Sequence, residues 1–197
     1  AYTLLGLLAF AVMANADAIV VRRFFGDVAA EAYAPVVTLG KMNLFIPLGI
    51  GLVLFPKATQ RRAARRDPRP VLLLALAATL LPGLLLTALY ALWPGRIVVL
   101  VFGPAYADPG RLLALVGLAT TLYAGVNIWL NYALSLERRG YVLALMLIVA
   151  GQLAAMILFH ARLENIAWVM LAAGLLANVA GAARLLGPAT PPAPTSP

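Results

Sequence analysis

The sequence predicts an all-α integral membrane protein with six transmembrane helices, and three observations carry that expectation. Hydrophobic residues fill 63% of the 197 positions and charged residues 11%, with a mean hydropathy of +0.95, well outside soluble globular composition. Apolar runs of about 20 residues, the length a helix needs to cross a ~30 Å hydrocarbon core, recur between clusters of charge, Pro and Gly. These runs, such as "VLLLALAATLLPGLLLTALYALW", are apolar on every face, whereas transmembrane strands show shorter segments of alternating polarity.

Taken in order, the spans fall at roughly 2–21, 32–55, 71–93, 112–136, 141–159 and 165–183. The first two carry internal charge or polarity, and the third and fourth carry no charge. Pro47 and Pro82 lie inside spans two and three and are expected to kink them, as membrane bundles tolerate when neighbours satisfy the freed carbonyls. "GRIVVLVFGPAYADPGR", between spans three and four, is too short and too broken by Gly and Pro to cross. It reads as a short helix or re-entrant segment at the outer surface. The spans make residues 1–187 one bundle, and the Pro-rich stretch 188–197 has nothing to bury and reads as a disordered cytoplasmic tail. The chain opens on Ala1 inside an apolar segment without a basic n-region or cleavage motif. That argues against a signal peptide and for a piece of a longer protein beginning at the edge of a span.

The formal net charge of +8 would suggest nucleic acid in a soluble protein, but here the position of each basic residue matters more. Six spans place both ends on one side, together with the loops after spans two and four. That side holds Lys57, Arg61, Arg62, Arg65, Arg66 and Arg69, then Arg138 and Arg139, then Arg184. The other side holds Arg22, Arg23, Arg96, Arg111 and Arg162. The imbalance puts both ends in the cytoplasm and accounts for the charge without a nucleic-acid partner; the same loop suits anionic lipid headgroups. The absence of Cys excludes disulfides and thiolate metal sites.

An ionisable side chain inside a span costs about 2.5 to 3.5 kcal/mol at the helix centre and by default faces protein or an aqueous cavity. Asp17 lies about five residues inside span one and Lys41 about nine inside span two, which brings them to similar depths in the outer half. Positions three and four away from Asp17 are Met13, Ala14, Val20 and Val21, so its partner comes from another helix or from solvent. Two readings stand: an Asp17–Lys41 ion pair that clamps two helices, or a cation or proton site beside a cavity, with Lys41, Arg22 and Arg23 attracting an anionic group.

In span four Tyr123, Asn127, Asn131 and Ser135 recur every four residues and form one polar stripe. The stripe serves either interhelical hydrogen bonding or a cavity wall that binds sugar hydroxyls. Gln152 and Asn178 read as hydrogen-bonding links between helices, and Ala173, Ala177 and Gly181 as a close-packing face. His160 reads as an interfacial residue. No P-loop, HExxH, paired Cys or Gly-rich dinucleotide turn is present, so the sequence predicts neither cofactor nor metal nor soluble-enzyme chemistry. A membrane enzyme acting on polyprenyl-linked sugars would have only His160, Asp108 and Glu164 to draw on at the outer interface.

The order "NADAIVVRRFFGDVAAEAYAPVVTLGKMNLFIPLGIGLVLFPKAT", then "VFGPAYADPGRLLALVG", then "NYALSLERRGYVLAL" resembles the C-terminal half of bacterial polysaccharide-biosynthesis flippases in the multidrug/oligosaccharidyl-lipid/polysaccharide exporter superfamily. The matching features are the N-x-D of Asn15 and Asp17, a G-D-x-x-A-E-A-Y turn, an L-F-P and the F-G-P-A-Y segment, spread over Ala1 to Leu186. The resemblance implies one bundle of a two-bundle transporter, the N-terminal bundle lying outside this chain. It also implies translocation of a polyprenyl-diphosphate-linked oligosaccharide across the cytoplasmic membrane by alternating access, with polysaccharide polymerase or glycosyltransferases as partners. By the same resemblance Arg22, Arg23 and Lys41 would receive the diphosphate, Asp17 would couple cation movement, and Tyr123, Asn127 and Asn131 would line the cavity or touch sugar. Lipid II flippases and multidrug extruders of the superfamily are the neighbouring readings.

Overall fold

The computed structural model describes residues 2–64, 67–106 and 110–186, and among these the chain is all-helical. In order run α1 (Tyr2–Met42), α2 (Ile46–Ala63), α3 (Arg69–Leu92), α4 (Pro94–Phe102), a 3-10 turn (Pro104–Tyr106), α5 (Leu112–Ser135), α6 (Arg139–Leu158) and α7 (Leu163–Leu185). Five of them, α1, α3, α5, α6 and α7, are long and apolar enough to cross a membrane. Their outer faces carry Leu74, Leu147, Leu158 and Leu176, all largely exposed, as expected where lipid rather than water is the solvent. The chain is membrane-embedded. Arg65, Arg66, Asp108 and the tail at 188–197 lie outside the described residues.

The first two spans differ from their expected boundaries. Helix α1 has 41 residues, about 60 Å at 1.5 Å per residue and twice the hydrocarbon thickness, and it is divided by Gly26 rather than by a loop. Gly26 has φ 78° and ψ 178°, a region essentially closed to side-chain-bearing residues. A Cβ there would meet nothing within 4 Å, so glycine is required by the backbone and not by packing. Beyond Gly26 the second limb doubles back along the first: Tyr33 reaches Asp17 and Lys41 reaches Asn15. Gly103, also preceded by Phe, repeats the conformation at φ 93°, ψ 172° where α4 ends.

The expected second span, 32–55, is itself interrupted: α1 ends at Met42, Asn43–Phe45 form a turn, and α2 starts at Ile46. Position 47 therefore falls in the first turn of α2, where a proline removes no helical hydrogen bond. Pro82 lies within α3, which runs unbroken from Arg69 to Leu92. A helix break at membrane depth needs other donors and acceptors, and α3 and α5 supply them. Tyr90 OH donates to Leu39 O at 2.9 Å and Thr120 Oγ1 to Gly40 O at 2.7 Å. Asn43 Nδ2 donates to Gly117 O and to Thr121 Oγ1, both at 2.9 Å.

Helix α5 is the centre of the bundle and packs on α1, α2, α3, α6 and α7. Its contact with α7 is close because α7 presents Ala173, Gly174, Ala177 and Gly181, all buried. A Cβ on Gly181 would stand 2.6 Å from the Trp129 ring and one on Gly174 2.9 Å from Leu122 Cβ. Asn178 links the same pair, donating to Leu122 O at 2.9 Å and accepting from Trp129 Nε1 at 3.2 Å. The small-residue face and the amide act as the sequence suggested.

Candidate functional site

Asp17 is fully buried on the first limb of α1. Its Oδ2 accepts a hydrogen bond from Tyr33 OH at 3.3 Å, and its Oδ1 stands 3.6 Å from Lys41 Nζ. Lys41 also donates to Asn15 Oδ1 at 3.2 Å, so both polar members of the N-x-D motif converge on one ammonium. The lysine is one-fifth exposed while the carboxylate is wholly enclosed. It closes the α1 hairpin and lies in the last turn of the second limb, where the helix terminus favours a cation.

Three further helices meet this pair. Tyr33 OH is 3.9 Å from Met170 Sδ on α7. Gln152 on α6 donates through Nε2 to Met13 O at 3.1 Å, one turn before Asp17. Tyr123 on α5 is fully buried, near enough to Asp17 to feel its charge and close to Gln152. The Tyr123 hydroxyl and the Gln152 side chain face each other, and Asp17 Oδ1 faces Lys41, each pair just outside good hydrogen-bond geometry. The cluster is therefore paired, but loosely.

The other residues proposed from sequence separate from this centre. Arg22 pairs with Asp27 at 3.8 Å, with both side chains at least four-fifths exposed. Arg23 is exposed beside it. Both sit near the Gly26 break and make no contact with Lys41 or Asp17. Asn127 and Asn131 are half-buried and bonded to each other, Asn131 Nδ2 donating to Asn127 Oδ1 and Asn127 O at 2.9 Å. Ser135 donates to Tyr132 O. The stripe therefore divides: Tyr123 joins the Asp17 cluster, while the asparagines and Ser135 turn their bonds back onto α5. His160 stacks on Phe24, ring centroids 4.3 Å apart, and Glu164 is exposed in the first turn of α7; no contact joins them.

Sequence reasoning missed Tyr33 and the roles of Asn43, Thr120 and Thr121. A tyrosine in "EAYAPVV" reads as an ordinary aromatic until the fold-back at Gly26 is known. Searches against family models, curated proteins and solved structures return no match.

Proposed function

We propose that this chain is the C-terminal bundle of a flippase that moves a polyprenyl-diphosphate-linked oligosaccharide across the cytoplasmic membrane by alternating access. One observation carries the reading: a fully buried carboxylate, Asp17, in the N-x-D position, held only by long contacts to Tyr33 and to a partly exposed Lys41. A buried carboxylate whose ammonium partner is itself partly exposed suits exchange of a proton, or of that ammonium for a monovalent cation, the currency of coupled transport. Six crossings are obtained by counting the two limbs of α1 separately and joining the second to α2 through the Asn43 turn, with both chain ends cytoplasmic. The broken second crossing is the kind of discontinuous helix that transporters place near their sites. In this scheme Lys41 links the coupling acid to the anionic substrate, with exposed Arg23 and the Arg22–Asp27 pair near the outer end of the path and Asn127 and Asn131 available to sugar.

The test is Asp17→Asn in the full-length protein, reconstituted and assayed for translocation of a fluorescent lipid-linked sugar. Translocation should fall at least tenfold while the protein elutes and unfolds as wild type does, since Lys41 keeps Asn15 and partial solvent access. Wild-type flipping by Asp17→Asn would reduce the pair to a structural clamp. A charge-swapped double variant, Asp17→Lys with Lys41→Asp, should restore folding under either reading and translocation only under the clamp.

A further inference from the structure

Helices α2 and α3 form an antiparallel pair joined by the basic loop, and between them runs a groove of about 310 Å³. Gly49, Val53 and Lys57 line it from α2 and Val71, Leu74 and Ala78 from α3. On α2 these positions are four apart and form one line about 12 Å long, with Lys57 at the loop end. The groove exists because its far end is built from Gly49 and Ala78; a Cβ on Gly49 would meet nothing within 4 Å. Its walls are apolar except for that one ammonium.

Among the described residues, two neighbouring cations are already engaged. Arg61 donates to Asp67 O at 3.2 Å and Arg69 pairs with Asp67 at 3.9 Å. Lys57 is exposed and has no hydrogen-bond or ion-pair partner among the described residues. Lipid tails are as apolar as the groove, so burial alone gives no preference for any occupant. Selection falls to the charge at the mouth, where a basic side chain at the bilayer surface favours an anionic headgroup.

We propose that this groove holds one acyl chain of an anionic phospholipid of the surrounding bilayer, its phosphate resting on Lys57. In this proposal the open side of the groove faces the bilayer, and its lining is separate from Asp17 and from what the protein transports.

The probe is phosphatidylglycerol bearing a photoactivatable diazirine on one acyl chain, compared with the matching phosphatidylcholine, in vesicles containing the full-length protein. Crosslinks mapped by mass spectrometry should concentrate on 49–57 and 71–78 and favour phosphatidylglycerol about fivefold, the preference a single basic side chain gives. Lys57→Gln should abolish the preference and leave the phosphatidylcholine signal unchanged, and Lys57→Arg should keep it. Gly49→Leu, which fills open space, should lower labelling by both lipids with no change in elution profile. Equal labelling by both lipids in the wild type, or a preference that survives Lys57→Gln, would overturn the proposal. So would displacement of the probe by unlabelled polyprenyl diphosphate but not by unlabelled phosphatidylglycerol, which would make the groove part of a substrate path.

Discussion

Helix α1 and the turn that follows it hold two buried polar clusters built to different standards. Around Asn43 most bonds are short: 2.9 Å to Gly117 O, 2.9 Å to Thr121 Oγ1, 2.7 Å from Thr120 to Gly40 O and 2.9 Å from Tyr90 to Leu39 O, with one longer contact of 3.5 Å to Thr87. Only Asn43 Oδ1 is left over there. Around Asp17 the contacts lengthen to 3.3 and 3.6 Å, and Asp17 Oδ1, the Tyr123 hydroxyl and Gln152 Oε1 fall outside good hydrogen-bond geometry. The first cluster replaces the bonds a broken helix loses, a structural task that rewards complete satisfaction. The second is held less tightly, as would suit the proposed exchange of a proton, a cation or a partner during a cycle. Only Met42 separates Lys41 from Asn43, so the tight cluster fixes the backbone from which the loose one's cation extends.

The largest effect tests the loose cluster's charge balance. Lys41→Ala strands the enclosed Asp17 carboxylate and should destabilise by about 3–5 kcal/mol, read as a drop in unfolding temperature in detergent. Adding Asp17→Asn should recover most of it. A single variant that unfolds as wild type does would mean that Asp17 does not rely on Lys41 for its charge.

A smaller loss belongs to the tight cluster. Asn43→Leu removes the interhelical donor to Gly117 O and to Thr121 Oγ1, which should cost about 1–3 kcal/mol. Because the turn also sets where Lys41 starts, this variant should slow translocation as well. Gly26→Ala is expected to cost a similar ~1–3 kcal/mol through backbone strain alone. It should also loosen the Asp17–Tyr33 contact, visible as faster hydrogen exchange in the second limb of α1. Equal exchange in both proteins would detach the hairpin from the site.

Much of this was legible in the sequence, and what was not has a common physical origin. Apolar runs and their charged ends gave the long helices, because a span's length and composition are dictated by the bilayer. Asp17 and Lys41 stood out because charge inside such a run is costly. The break at Asn43 was invisible: "GKMNLFIPLGIG" is apolar enough to read as continuous helix, and the hydroxyls that permit the break lie 44 to 78 residues away on α3 and α5. Tyr33 was missed for the same reason. Four-residue spacing correctly put Tyr123, Asn127 and Asn131 on one face but could not tell that only the first turns inward.

The smallest expected effect on stability is the most discriminating. Tyr123→Phe removes a buried hydroxyl whose contact with Gln152 falls short of good hydrogen-bond geometry, so stability should change by less than ~1 kcal/mol or rise. Thr120→Val removes a hydroxyl of similar burial that donates to the end of a broken helix at 2.7 Å and should cost about 1 kcal/mol or more. If the oxygens around Asp17 serve a cycle, translocation should respond in the opposite order, with Tyr123→Phe impairing it at unchanged stability and Thr120→Val impairing it only as far as folding suffers. Parallel losses in stability and translocation for both variants would mean that the two clusters share one structural task, and that the longer contacts at Asp17 are no more than a looser version of those at Asn43.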